Sequence, residues 1–334
     1  MGFVNRKIVL VERPKGRVSV ENFAYTEEEI GDLPDGCVLI EVGVLGIDAF
    51  IRTTLNEDSF HQGAQIGGAI PALGVGVVLD SRFDGLAAGD HVFGPLGSQT
   101  HAVMPGGFMR KIDVSVAPPS VWLGALGLTT GLTAYMGVIE VGRVKAGETV
   151  VVSAAAGAVG SLAGQIARLR GATNVIGIAG GPEKSRFLTD ELGYTAAIDY
   201  KNEDVAERLD ALAPNGIDVF FDNVGGSVLD DVLMRIKEGS RIVICGAISQ
   251  YENMESVHGP RNYLKLAERH ATMEGFAVFH FSDRYAEAED QLAAWVRSGE
   301  LVMREHIERG VENFPRVLQM LMTGGHHGKL LLAV

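Results

Sequence analysis

Ala154, Gly157 and Gly160 stand at the spacing A-x-x-G-x-x-G, within the run VVVSAAAGAVG that occupies residues 150–160. An apolar strand-like run precedes them. A helical pattern follows, with Leu162, Ile166 and Leu169 on one face. A strand that turns tightly into a helix gathers backbone N–H groups and the positive end of a helix dipole where a pyrophosphate can sit. Small residues are needed at such a turn, because a larger side chain would hold the phosphate away. A glycine-rich turn can also be purely structural, but the flanking strand and helix favour a dinucleotide site.

The next strand-like run, residues 175–178, leads into Ala179, Gly180, Gly181, Pro182, Glu183 and Lys184. NAD sites place an acid here to bond the ribose 2′-hydroxyl. Glu183 is the only acid in this loop, and it also complements the dipole of the helix that Pro182 opens. Lys184 suits a 2′-phosphate, although a lysine in a first helical turn is also an ordinary solvated residue. The expected cofactor is NADPH.

Metal chemistry is not expected. A catalytic zinc needs three protein ligands and an open position. The two cysteines, Cys37 and Cys245, are far apart in the chain, and the nine histidines are scattered except for His326 and His327. That pair lies among glycines and reads as a polar turn before the last strand. No G-x-S-x-G elbow is present. Hydride transfer, which a nicotinamide cofactor itself performs, is the chemistry that remains.

These residues need a scaffold, and the wider sequence describes one. The chain has 334 residues, 46% of them hydrophobic and 43 of them glycine, which suits two turn-rich domains. A net charge of −13, from 29 basic and 42 acidic residues, argues against nucleic acid and anionic membranes as partners. No apolar stretch reaches membrane-spanning length. The N-terminus lacks a signal-peptide core, and both cysteines sit in apolar strand-like runs, so the expected location is a reducing cytosol.

The first third is β-rich, with runs at 6–12, 37–44, 74–80 and 90–94 separated by turn clusters, which suggests a small barrel or sandwich. Past Trp122 the texture alternates between strand and helix, implying βαβ units and a parallel sheet. Strands are expected at 150–153, 175–178, 197–199, 217–222 and 241–248, with a further candidate at 272–279. A helix is expected from Pro182 to a terminating Gly193. Helical spacing returns at Tyr285, Ala288, Leu292, Trp295 and Val296 and at Phe314, Val317, Leu318 and Leu321, before a last strand at 329–334. This order implies an inserted nucleotide domain at 125–280, and a catalytic domain made of 1–124 and 281–334.

Several segments together resemble a known family. They are NRKIVLVERPKG at 5–16, LGLTTGLTAY at 126–135, GETVVVSAAAGAVGS at 147–161, FDNVGG at 221–226, CGAISQY at 245–251 and GPRNYL at 259–264. Over essentially its whole length the chain resembles the zinc-free medium-chain dehydrogenase/reductases, in particular the leukotriene/prostaglandin reductase and 2-alkenal (curcumin) reductase group. The resemblance implies an α/β protein with a GroES-like, barrel-type catalytic domain and a doubly wound Rossmann domain. It also implies NADPH-dependent reduction of the C=C bond of α,β-unsaturated ketones and aldehydes, and a homodimer.

By position, the resemblance assigns the pyrophosphate to Gly157, Ala158, Val159 and Gly160, and the 2′-phosphoadenosine end to Lys184 and Tyr200. Asn223, the segment Cys245, Gly246, Ala247, Ile248, Ser249 and Tyr251, and the stretch that includes Phe276 and Val278 would line the ribose and nicotinamide. Tyr251 is the candidate hydrogen-bond donor or proton source. Read without the resemblance, Tyr200 is a loop tyrosine, Asn223 a turn former and Tyr251 a packing aromatic. Two positions depart from the family pattern. Phe50 stands where the family often has a tyrosine, and His326 where it has an asparagine near the cofactor. The segment following Ser59 also departs. The alternatives to an enone reductase are an NADPH quinone reductase and a non-catalytic NADPH-binding protein.

Overall fold

Short runs of β-branched residues in the first third become strands. In the computed structural model, which describes residues 2–57 and 63–334, β1 (Val4–Leu10) and β2 (Phe23–Glu29) form an antiparallel pair. Of the departing segment that follows Ser59, residues 60–62 lie outside the described residues. β3 (Cys37–Gly46) pairs antiparallel with β4 (Gly74–Ser81), which in turn pairs with β5 (His91–Gly94). β6 (His101–Pro105) lies on β3, and β7 (Arg110–Lys111) on β5. Between β3 and β4 a short helix, α1 (Phe50–Thr54), buries Ile51, Arg52, Thr53 and Thr54.

The central part alternates as expected. α2 (Thr133–Met136) is extended on both sides by wider π-type turns, Leu128–Leu132 and Gly137–Val141. Then follow β8 (Thr149–Ser153), α3 (Ala158–Leu169), β9 (Asn174–Ala179), α4 (Pro182–Arg186), β10 (Ala196–Asp199), α5 (Val205–Leu212), β11 (Ile217–Asp222) and α6 (Gly226–Leu233). β12 (Ile236–Ile244), α7 (Leu264–Glu268), β13 (Thr272–Gly275) and α8 (Tyr285–Ser298) complete this part. Every strand pair in the sheet β10-β9-β8-β11-β12-β13 is parallel. The chain therefore reverses its winding direction between β8 and β11, the switch point at which such sheets bind dinucleotides beyond the strands' carboxyl ends.

The tail supplies β14 (Glu305–Arg309), α9 (Phe314–Thr323) and β15 (Lys329–Ala333). β15 pairs with β14 and β3, closing the order β14-β15-β3-β4-β5-β7. This antiparallel-rich sheet with its added pair is the barrel-type layer of the first unit. Its core gathers Leu10, Ile40, Leu45, Ile51, Phe314 and Leu332. The second unit has its own core around Val151, Ile176, Ile198, Phe220 and Val232.

Contacts divide the chain into Met1–Gly124 with Glu305–Val334, and Ala125–Arg304. The second division thus falls at 304/305, where the sequence reading set it at 280/281. α8 belongs with the parallel sheet for local reasons. Trp295 sets its ring 6.2 Å from that of Tyr135. Gln165 in α3 exchanges a pair of amide hydrogen bonds with Val302, at 2.8 and 2.9 Å.

Other boundaries differ as well. β12 starts earlier than expected and ends at Ile244, because the Cys245 and Gly246 N–H groups both turn to the Asp222 carbonyl, at 2.9 and 3.1 Å. The apolar continuation CGAI is loop. β13 likewise stops at Gly275, and a 3-10 segment, Val278–Arg284, follows. The expected helix at 182–193 is α4 continued by a π-type turn, Phe187–Glu191, with Gly193 at φ 69° beyond it. Neither cysteine is bonded to another, and both residues are half-buried.

Candidate functional site

Within the second unit, the sequence-selected residues collect at the carboxyl ends of the parallel strands. The turn after β8 bends sharply at Ala154, whose φ of 47° is rare for a residue with a side chain. Its carbonyl accepts the Gly157 N–H at 2.9 Å, and Gly157 becomes the N-cap of α3 with no side chain covering the helix end. Gly160 is required by close packing. A Cβ there would stand 2.4 Å from the Ala154 carbonyl oxygen and 2.8 Å from the Ala155 Cα. Ala158, Val159 and Gly160 thus form an uncovered first turn with N–H groups for an anion.

At the end of β9, Gly180 and Gly181 lie beside the end of β10. A Cβ on Gly180 would meet the Lys201 Cε at 2.9 Å and the Tyr200 ring at 2.9–3.0 Å. Burial, and then the charge of Lys201, hold the Lys184 ammonium below the usual lysine value, with Glu183 opposing them. Two ammonium groups that repel one another suit a dianionic phosphate placed between them. Asp199, the nearby acid at the tip of β10, is occupied. Its carboxylate accepts the Gly181 N–H at 2.6 Å, the Lys201 N–H at 3.1 Å and the Asn202 amide at 2.7 Å. Burial pushes its pKa up, but those bonds and the Lys201 charge outweigh it and hold the carboxyl below the ordinary range. The other acid of this loop, Glu183, lies in the first turn of α4 and acts on Lys184, and with Lys184 and Lys201 at the same end the residues present fit NADPH.

The ends of β8, β11 and β12 are tied together by a network centred on Asp222, which is fully buried. Its carboxylate accepts the Ser153 hydroxyl at 2.7 Å, the Val224 N–H at 2.9 Å and the Gly225 N–H at 3.0 Å. Burial pushes this carboxyl up, against those bonds. The Ser153 hydroxyl accepts the Asn223 N–H at 2.8 Å, and the Asn223 side-chain amide donates to the Ser153 carbonyl at 2.8 Å. Part of the hydrogen-bonding capacity of Asn223 is therefore spent on the fold.

The segment from Cys245 to Tyr251 is laced onto this turn. Ile248 N–H reaches the Asn223 carbonyl at 3.1 Å, and the Ser249 hydroxyl reaches the Val224 carbonyl at 2.6 Å. The Tyr251 hydroxyl accepts the Ala247 N–H at 3.1 Å, packed close over Gly246. Burial pushes the Tyr251 phenol up and takes the Cys245 thiol to about 12, the latter helped by the charge of Asp222. The phenol is protonated at neutral pH, and the thiol is not a nucleophile there. Phe276 follows β13 and packs edge-on to Phe281 at 6.2 Å, and Val278 opens the 3-10 segment behind it.

The remaining sequence-selected residues belong to the first unit. His326 is buried just ahead of β15, and Phe50 opens α1 and packs against the core. Among the described residues, no three His, Cys, Asp or Glu side chains come together as a metal site, and no helix is long and apolar enough to cross a membrane. Sequence reasoning passed over Lys201, Asp222 and Ser153. Lys201 directly follows Tyr200 and Asp222 lies inside the quoted FDNVGG, but the signal that each matters is its neighbour on another strand.

Two family models match the chain, "N-terminal domain of oxidoreductase" over residues 6–112 and "Zinc-binding dehydrogenase" over residues 158–294. The chain is 35% identical to the NADPH-dependent curcumin reductase of Escherichia coli (strain K12), over 99% of this chain and 97% of that protein. It is 37% identical to the NADP(+)-dependent 2-alkenal reductase of Nicotiana tabacum, over 90% and 89%. The crystal structure of CurA from Vibrio vulnificus in complex with NADPH superposes with a TM-score of 0.92 at 36% identity, covering 98% of this chain and 99% of that one.

Proposed function

We propose, for a chain that belongs to the zinc-free medium-chain dehydrogenase/reductases and is an NADP-dependent oxidoreductase of their prostaglandin, 2-alkenal and curcumin reductase group, that it reduces the C=C bond of α,β-unsaturated ketones and aldehydes. The observation that carries this reading is the near-full-length likeness to two reductases named for such substrates. In the same reading Gly157, Ala158, Val159 and Gly160 hold the pyrophosphate, Lys184 with Tyr200 and Lys201 holds the 2′-phosphate, and the turns after β11, β12 and β13 line the nicotinamide end. The protein works as a cytosolic homodimer.

NADPH, when bound, supplies the hydride. The chain's own contribution is positional and electrostatic. The uncovered turn of α3 anchors the diphosphate. The Asp222–Ser153 network holds Asn223 and the Cys245–Tyr251 loop at fixed depth over the strand ends. Tyr251 receives the Ala247 N–H on its oxygen, which leaves its own proton to donate to a carbonyl oxygen that gains charge. Such a donor is worth about 3–4 kcal/mol of barrier. Its raised pKa keeps that proton in place across the neutral range.

The test is NADPH oxidation against enals, enones of graded size and quinones, followed by location of deuterium transferred from 4-deuterated NADPH. Label bonded to the carbon β to the carbonyl is expected. Turnover of quinones alone, or none across the whole panel, refutes the reading in favour of a quinone reductase or a non-catalytic binder respectively.

A further inference from the structure

The nucleotide turn has a support that lies outside its motif. Tyr194, which precedes β10, is 4% exposed. Its hydroxyl donates to the Gly160 carbonyl at 2.6 Å. The ring takes up the space that side chains would otherwise fill at two further glycines. A Cβ on Gly164, in the middle of α3, would stand 2.0 Å from the Tyr194 ring carbon that carries the hydroxyl. One on Gly177, in the middle of β9, would stand 2.7 Å from the Leu188 Cδ1, 2.9 Å from the Ala155 Cβ and 3.0 Å from the ring's Cδ1. Glycine inside a helix or a strand is destabilising relative to alanine. Neither Gly164 nor Gly177 belongs to the phosphate turn, and their common neighbour is this phenol. Its depth pushes its pKa far above the tyrosine range, so it remains a donor at any working pH.

We propose that Tyr194 is a positioning residue for the cofactor's pyrophosphate. Its buried hydroxyl, bonded to the first turn of α3, sets how that turn's N–H groups sit against β9. No side chain caps the helix at Gly157, so the first-turn N–H groups stay uncovered, while the bond to the Gly160 carbonyl fixes the same turn from behind. The inference rests on the reading that residues 154–160 hold the pyrophosphate. It predicts a defect confined to that part of the cofactor, because the Tyr194 hydroxyl is bonded to the first turn of α3.

The experiment is calorimetric titration of the full-length protein, wild type, Y194F and G157V, with NADPH and with 2′-AMP, which carries the 2′-phosphate but no pyrophosphate. Titrations are run well below each variant's melting temperature, with kcat and KM for NADPH measured alongside. Removing one hydroxyl is expected to weaken NADPH about three- to tenfold. Affinity for 2′-AMP and kcat at saturating NADPH should stay within about twofold. A lower Tm with both affinities unchanged means that the tyrosine only packs, and overturns the proposal. Equal weakening of both ligands also overturns it, because the damage then lies at the β9–β10 ends. G157V, at a φ of −82° and with its Cβ 3.2 Å from the Ala154 carbonyl oxygen, is expected to lose NADPH and keep 2′-AMP. If G157V keeps NADPH, the turn reading fails and the Tyr194 inference with it. If G157V loses NADPH while Y194F does not weaken it, the inference alone fails.

Discussion

The two units position their polar residues by opposite means. In the nucleotide unit the strand ends are held by backbone groups and by neutral or singly charged hydrogen bonds, and its one fully buried carboxylate, Asp222, is surrounded by N–H and O–H donors. In the first unit charged side chains are buried whole. Lys329, 0% exposed, bonds Asp48 at 2.5 Å across 281 residues of chain. Arg52, 1% exposed, holds the Gly16 carbonyl and the Asn56 side chain, both at 2.7 Å. Arg13 spans the carbonyls of Leu55, Asn56 and Ala64 at 3.0–3.1 Å. Gly46 leaves room for the ion pair, since a Cβ there would stand 2.9 Å from the second Asp48 oxygen. The carboxylates at the strand ends of the nucleotide unit, Asp199 and Asp222, are taken up by N–H and O–H donors. A barrel whose last strand arrives from the far end of the chain is locked by charge instead.

Removing one partner of the ion pair is the largest test of this contrast. Lys329→Met strands a buried carboxylate and is expected to destabilise the fold by about 3–5 kcal/mol in urea unfolding. Adding Asp48→Asn should recover much of the loss. A change below about 1 kcal/mol shows that the pair is not what locks β15.

On the nucleotide side, Tyr251→Phe should lower kcat roughly 10²-fold or more at an unchanged melting temperature. Full turnover across pH would leave the phenol with packing alone.

Lys184→Ala comes next. Loss of one charge-assisted bond to phosphate should weaken NADPH about ten- to a hundredfold and leave NADH unchanged. Equal efficiency with both cofactors in the wild type removes the basis for this prediction.

The smallest effect is a pH dependence. The Lys184 value lies below that of an ordinary lysine in the free protein, and a bound phosphate draws it back up. NADPH affinity is therefore full below the depressed value and declines as pH rises through it, so titrations carried up towards the ordinary lysine value should show the decline for NADPH and none for NADH.

Legibility followed the same division. The strand-turn-helix at β8 and α3, the absence of an NAD-type acid after β9 and the insertion of one unit into the other could all be read from local pattern. β2 and β14 could not. FAYTEEE and EHIER are polar because β2 pairs only with β1 and β14 is a sheet edge paired only with β15, and exposed edge strands carry charge. The end of β12 is not legible because CGAI has strand composition, while its N–H groups go to the Asp222 and Asn223 carbonyls and to the Tyr251 hydroxyl. The boundary at 304/305 was missed because helix periodicity states which face of α8 is apolar, not which core receives it.

The sequence by itself determined the strand, tight turn and helix around residues 150–160, the cofactor type and the family. These rest on short-range sterics and on residue types at fixed spacing, which are present in any stretch of chain that carries them. Only the tertiary structure decided that Tyr194 stands behind Gly160, that Lys201 faces Lys184, and that Asp48 neutralises Lys329. Each of these is a pairing between distant segments. A pairing of that kind gains its energy from burial and from the loss of water around both partners, and neither exists until the chain has folded.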